Sequence, residues 1–167
     1  MDAATRAWID QHEASLTEII RRRGWAIQYV GGSLCSRPGC DCGEYPEPAF
    51  AYTIGMFGLN HPELVIFGMP PDTASGVLND LGSRIRSGEA LLPGRLITFA
   101  EWPHRIIPEV VPNPGDIVLL ANGFYQRPDE FSVPVLQLSY DDLEQRFPWE
   151  EGYAAPELQP RPGTFKA

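Results

Sequence analysis

Phe50-Ala51-Tyr52-Thr53-Ile54-Gly55-Met56, then His61-Pro62-Glu63-Leu64-Val65-Ile66-Phe67-Gly68, then Met69-Pro70-Pro71-Asp72-Thr73, reads as two strands and the start of a helix. The runs Phe50–Ile54 and Leu64–Phe67 are short, apolar and rich in β-branched and aromatic residues, as strands are. The turn-forming segment Gly55–Pro62 joins them. Pro71 followed by Asp72 and Thr73 is a helix-start signal, because proline fits the first turn, where no N–H is needed. Val77, Leu78, Leu81 and Ile85 then recur at helical spacing to about Ser87, and Gly88 stops the helix.

Toward the N-terminus, residues 5–23 read as a helix with Trp8, Ile9, Leu16, Ile19 and Ile20 near one face and Gly24 at the stop. Arg21-Arg22-Arg23 complement the negative end of its dipole and read as a solvated helix end rather than a phosphate patch. Trp25–Val30 is a strand. Toward the C-terminus, Arg95–Phe99, Ile106–Val111 and Val133–Tyr140 are strands, with Pro134 in the first residues of the last. Ile117–Tyr125 reads as a short helix packing Ile117, Leu120, Ala121 and Phe124, with a strand as the alternative. From Asp141 the chain is acidic, proline-rich and aromatic, and is expected to wrap the domain, with its last ten residues loosely held. The order predicts an α+β domain with a mostly antiparallel sheet and two main helices. No linker divides residues 1–167, so one domain is expected: helix 5–23, a cysteine-rich loop 31–48, a core 49–140 and a C-terminal wrap 141–167.

The chain has 167 residues, with 13 basic against 22 acidic and a formal net charge of −9. The deficit is spread out, and no basic block supplies the positive surface that nucleic acid or an anionic membrane demands. No apolar run reaches the roughly 18–20 residues of a bilayer span. Met1–Thr5 has no basic region ahead of an apolar core, so no signal peptide is expected there. Three cysteines within eight residues are a poor disulfide framework and suit a reducing cytoplasm.

Those cysteines carry the strongest chemical signal. Cys35, Cys40 and Cys42 sit in a turn-rich loop at C-x4-C-x-C spacing, and a cation relieves the repulsion of thiolates so crowded. Zinc takes four ligands, and His61, His104, Asp41, Glu44 or a water are candidates for the fourth. Unligated or redox-sensitive thiols are the plainer alternative. His61 and His104 lie in turns at strand ends, where sites tend to form; His12 reads as a surface residue of the first helix. Tyr52, Trp102, Phe124, Tyr125, Phe147, Trp149 and Tyr153 either line a pocket for a flat ligand or simply pack the sheet. No serine-hydrolase elbow, zinc-protease helix, dinucleotide fingerprint or P-loop is present.

The stretch 50–68 quoted above, together with Gln137-Leu138-Ser139-Tyr140-Asp141-Asp142, Arg146-Phe147-Pro148-Trp149-Glu150 and Gly152-Tyr153, resembles the bacterial domain-of-unknown-function 4262 family. The resemblance runs from about Gly24 to Gln159. It implies a bacterial cytoplasmic domain and lends no activity. The family pattern has Pro-Asp where this chain has Asp141-Asp142, and the cysteine-rich insert is an elaboration on it. A looser analogy, at fold level only, links the strand–strand–helix opening to flavin-reductase-like split barrels. It implies a barrel-like sheet and flavin mononucleotide, with Thr53, Thr73 and Ser75 as phosphate candidates at a helix N-terminus.

Two functional expectations follow. One is a small-molecule, cofactor or metal-binding domain, with enzymatic chemistry left open. The other is a non-catalytic protein-interaction module, regulatory or immunity-like, in which the cysteines are structural.

Overall fold

A computed structural model describes residues 2–31 and 48–167. The order is α1 (Ala3–Arg23), β1 (Ala26–Val30), β2 (Phe50–Ile54), β3 (Glu63–Phe67), α2 (Pro71–Arg86), β4 (Ile106–Val110), α3 (Leu119–Phe124) and β5 (Val135–Tyr140). The strands form one sheet in the order β1-β2-β3-β5-β4. β1–β2, β2–β3 and β4–β5 are antiparallel, while β3 and β5 run parallel. The fold is α+β, as expected. The sheet is mixed and open rather than barrel-like, since no pairing among the described residues joins β1 to β4. The two main helices expected are α1 and α2, and a third, α3, is a short helix of six residues within the expected segment 117–125.

β2 and β3 are buried at every position, because they lie in the middle of the sheet with cores on both faces. Side chains alternate along a strand. Ala51, Leu64, Ile66, Leu136 and Leu138 therefore meet Val77, Leu78, Leu81 and Ile85 of α2. Phe50, Tyr52, Ile54, Val65 and Phe67 point the other way, toward Leu16 of α1 and Ala121 of α3.

Three sequence expectations shift. Helix α1 buries only Leu16, while Trp8 and Ile19 are 66% and 41% exposed. Its contact seam is Ile9, His12, Leu16 and Ile20, and Trp8 instead stacks on His12 with ring centroids 5.3 Å apart. His12 is thus half-buried rather than at the surface. Arg95–Phe99 makes no strand; Ile97 alone bridges Ile106. Pro108 lies two residues along the facing edge of β4 and has no N–H to extend the ladder, so beyond the paired Ile97–Ile106 bonds the described residues add just Gly94 N–H to Pro108 O, at 2.8 Å. Finally, the C-terminal segment is tied down. Phe165 packs edge-on against Phe50 and Phe67, and Asn113 Nδ2 donates to its carbonyl at 2.8 Å.

Gly55 ends β2 at φ +137°, and a Cβ there would lie 2.5 Å from Gly24 O and 2.7 Å from Trp25 Cα. Gly55→Ala is expected to cost roughly 2–4 kcal/mol in chemical denaturation, from backbone strain and overlap together. Gly76→Ala is the control: nothing lies within 4 Å of its Cβ position. Better helix propensity should make it neutral or stabilising by up to about 1 kcal/mol.

Candidate functional site

The two ends of the central strands differ in chemistry. At the end where β2 leaves and β3 enters, Glu63 is fully buried. Its carboxylate accepts from Thr53 Oγ1 at 2.6 Å, Gly55 N–H at 2.8 Å, Met56 N–H at 3.1 Å and Phe57 N–H at 3.2 Å. Burial raises its pKa above the ordinary value, and these four donors, led by Thr53, offset only part of that rise. The Tyr125 hydroxyl nearby accepts from Gly58 N–H at 3.2 Å; burial first, then the Glu63 charge, pushes its pKa up to about 12. His61 lies at this same end. Its Nδ1–H donates to Pro62 O at 2.8 Å and its Nε2 accepts from Leu91 N–H at 3.0 Å. Both ring nitrogens are spent on holding loops, and a metal at His61 requires breaking one of those bonds.

The opposite end is open. There the carboxyl ends of the parallel strands β3 and β5 lie side by side, the place where open sheets commonly bind ligands. A groove of about 510 Å³ is lined there by Gly68, His104, Tyr140, Asp142, Tyr153 and Leu158, among others. The β4–β5 register sets His104 beside Asp141, because Ile106 faces Tyr140. His104 Nδ1–H donates to Asp141 O at 2.6 Å, which fixes the tautomer and leaves Nε2 as the acceptor. Nε2 has no hydrogen-bond partner among the described residues. Trp102 and Tyr140 flank the ring at 4.8 and 5.8 Å between centroids.

Asp141 is buried and its carboxylate is held by Arg105, through N–H at 2.8 Å and Nε at 2.6 Å. The bond that orients His104 comes from the main chain of residue 141, so a proline there would preserve it; the Arg105 clamp needs the aspartate. The far wall is a strap, residues 142–160. Gln159 takes the place of a neighbouring strand: its Oε1 accepts from Tyr140 N–H at 3.0 Å and its Nε2 donates to Tyr140 O at 2.8 Å and to the Tyr153 hydroxyl. Gly68, at φ +73°, admits the strap closely, since a Cβ there would sit 2.6 Å from Leu158 O.

The candidates read from the sequence do not converge. His61 and His104 lie at opposite ends of strands five or six residues long, about 17 Å apart along the sheet. Thr53 is buried, donating to Glu63 and accepting from Leu64 N–H at 2.9 Å. Thr73 and Ser75 line two separate cavities, neither of which Thr53 reaches. These three residues form no common cradle for a flavin phosphate. Cys35, Cys40 and Cys42, with Asp41 and Glu44, lie outside the described residues. Among the described residues, no group of three potential ligands is close enough to hold a metal ion. No described helix is long and apolar enough to cross a membrane. Of the aromatic set, Tyr153 and Trp102 line cavities, whereas Tyr52 is buried and accepts from Leu120 N–H at 3.1 Å.

The family described as Domain of unknown function (DUF4262) matches residues 19–154, most of the 167-residue chain. The chain belongs to that family. No curated protein and no solved structure matches it. The match to DUF4262 takes in both ends of the sheet, His104 and the first part of the strap.

Asp142 anchors that strap by accepting from Glu144 and Arg146 N–H at 2.9 Å each and from Ala154 N–H at 3.1 Å. These bonds, the one from Arg146 foremost, hold its pKa below the usual aspartate range. A lowered carboxyl pKa stabilises the fold above the unfolded value, and that contribution is lost as pH falls through the folded value. The protection factor of the Ala154 amide in the wild type, its exchange corrected for the intrinsic pH dependence, should therefore fall on acidification below the usual carboxylate range. In Asp142→Asn the side-chain amide nitrogen faces a donor, so protection at Ala154 should be low throughout and lack that acid limb.

Proposed function

We propose that this DUF4262 domain binds a small, flat molecule in the groove at the carboxyl ends of β3 and β5. His104 Nε2 is the acceptor or proton-transfer group. The observation that carries the reading is His104 itself: one ring nitrogen is oriented by a main-chain carbonyl, and the other has no partner among the described residues on a groove wall. An imidazole held this way accepts a hydrogen bond from a ligand hydroxyl or amide and is in position to take its proton. Tyr140 and Tyr153 supply aromatic wall, and Leu158 supplies apolar wall. Acid–base catalysis is compatible with this geometry, and the substrate is set by what fits beside His104.

A zinc ion on Cys35, Cys40 and Cys42 is a separate proposal that rests on residue type and spacing alone. The protein-interaction alternative is favoured by one feature, the apolar margin of β4. Val110, Leu96, Leu92 and Trp149 are 60%, 46%, 45% and 44% exposed there.

Phenol, with anisole as the control lacking a donor, tests the groove. Phenol should shift the NMR signals of His104, Tyr140, Tyr153 and Leu158, and anisole should do so more weakly. His104→Phe keeps a flat ring between Trp102 and Tyr140 but removes Nε2, and should weaken phenol binding about tenfold, the worth of one hydrogen bond. Equal binding of phenol and anisole, or unchanged binding by His104→Phe, would remove His104 from the reading.

A further inference from the structure

A second cavity, separate from the His104 groove, has chemistry of its own. It holds about 510 Å³ between the first half of α2 and residues 99–102. Its aromatic wall is a corner: Phe99 and Trp102 stand at 87°, with ring centroids 5.2 Å apart. Its polar groups are chiefly the carboxylates of Asp80 and Glu101. Glu101 has no ion-pair partner among the described residues, while Asp80 pairs with Arg84 Nε at 3.2 Å. Gly76 leaves room on the helix side, with nothing within 4 Å of where a Cβ would stand.

Aromatic faces carry negative potential, and a cation seated on the face of either ring of this edge-to-face pair is attracted by it. Carboxylates at the rim add to it. Phe99 already attracts a cation of the chain itself: the Arg84 guanidinium, outside the cavity lining, stands over its ring 4.9 Å from the centroid. An anion would meet two carboxylates here. The positive end of the α2 dipole fades beyond the first turn, whereas Asp80 is ten residues in.

We propose that this cavity binds a methylated ammonium group, seated on Trp102 and Phe99 and balanced by Glu101 and Asp80. Methyl groups fill the apolar corner and spread the charge, so the group loses little hydration on entry. A bare ammonium would lose more. The ligand is either a free quaternary amine or a methylated lysine side chain; the chemistry of recognition is the same.

The test compares choline with 3,3-dimethyl-1-butanol, its uncharged isostere, followed by NMR at low ionic strength. Choline should shift the Trp102 indole and the Gly76 and Ala100 amides, and should bind about tenfold or more tightly than the isostere. Glu101→Gln alters an exposed side chain and should weaken choline several-fold without moving the melting temperature. Gly76→Leu, on the open side of the helix, should abolish binding while the protein stays folded. A peptide carrying trimethyllysine, with its unmethylated lysine form beside it, separates the two sources: tighter binding of the methylated peptide than of choline assigns the site to a protein side chain, and the reverse assigns it to a free amine. Equal binding of choline and its isostere, shifts confined to other residues, or binding that survives Gly76→Leu would overturn the proposal.

Discussion

A buried carboxylate with no ion-pair partner among the described residues holds one end of this protein together. Glu63 takes three successive backbone N–H groups of the turn after β2 and the Thr53 hydroxyl. Those N–H groups have no strand to pair with, and buried unpaired donors are costly. The side chain supplies what the ladder cannot. The turn it fixes brings Gly55 against Gly24 and Trp25, and so sets how α1 meets the sheet. The same turn presents His61 to Leu91, which starts the return of residues 91–105 along β4.

That arrangement divides labour between the ends of the sheet. At the Glu63 end the carboxylate, the Thr53 hydroxyl, the turn amides and both His61 nitrogens all have partners. The other end is where the parallel pair β3–β5 finishes, and its groups are only partly spent. His104 keeps one nitrogen without a partner among the described residues, and the strap over Gly68 is held by Asp142 and Gln159 rather than by a sheet ladder. Rigid strands thus carry the groove, while its outer wall depends on a few side-chain bonds.

Much of the local structure was legible in the sequence, and for plain reasons. Pro71 and the spacing of Val77, Leu78, Leu81 and Ile85 define α2, because helix starts and helical periods are local signals. The same holds for β2 and β3. The parallel pairing of β3 with β5 was not legible, since it spans residues 68–134 and no short-range pattern encodes it. Arg95–Phe99 has strand composition, but its fate was decided by Pro108 on the facing strand. Glu63 was missed as a keystone, although counting by two places it on the row of Val65 and Phe67, and a charge on an inward row demands partners. His104 was visible as a candidate; what orients it is the carbonyl of residue 141, brought there by the β4–β5 register. His61 looked equivalent and is not, because only the fold shows that its nitrogens are occupied.

Native-state hydrogen exchange, residue by residue, tests this division most directly. The amides of Gly55, Met56 and Phe57 should exchange only through global unfolding, with the same free energy as the centre of β3. Those of residues 142–158 should exchange by local opening at lower free energy. Fast exchange at 55–57, or a strap as protected as β3, would contradict the account.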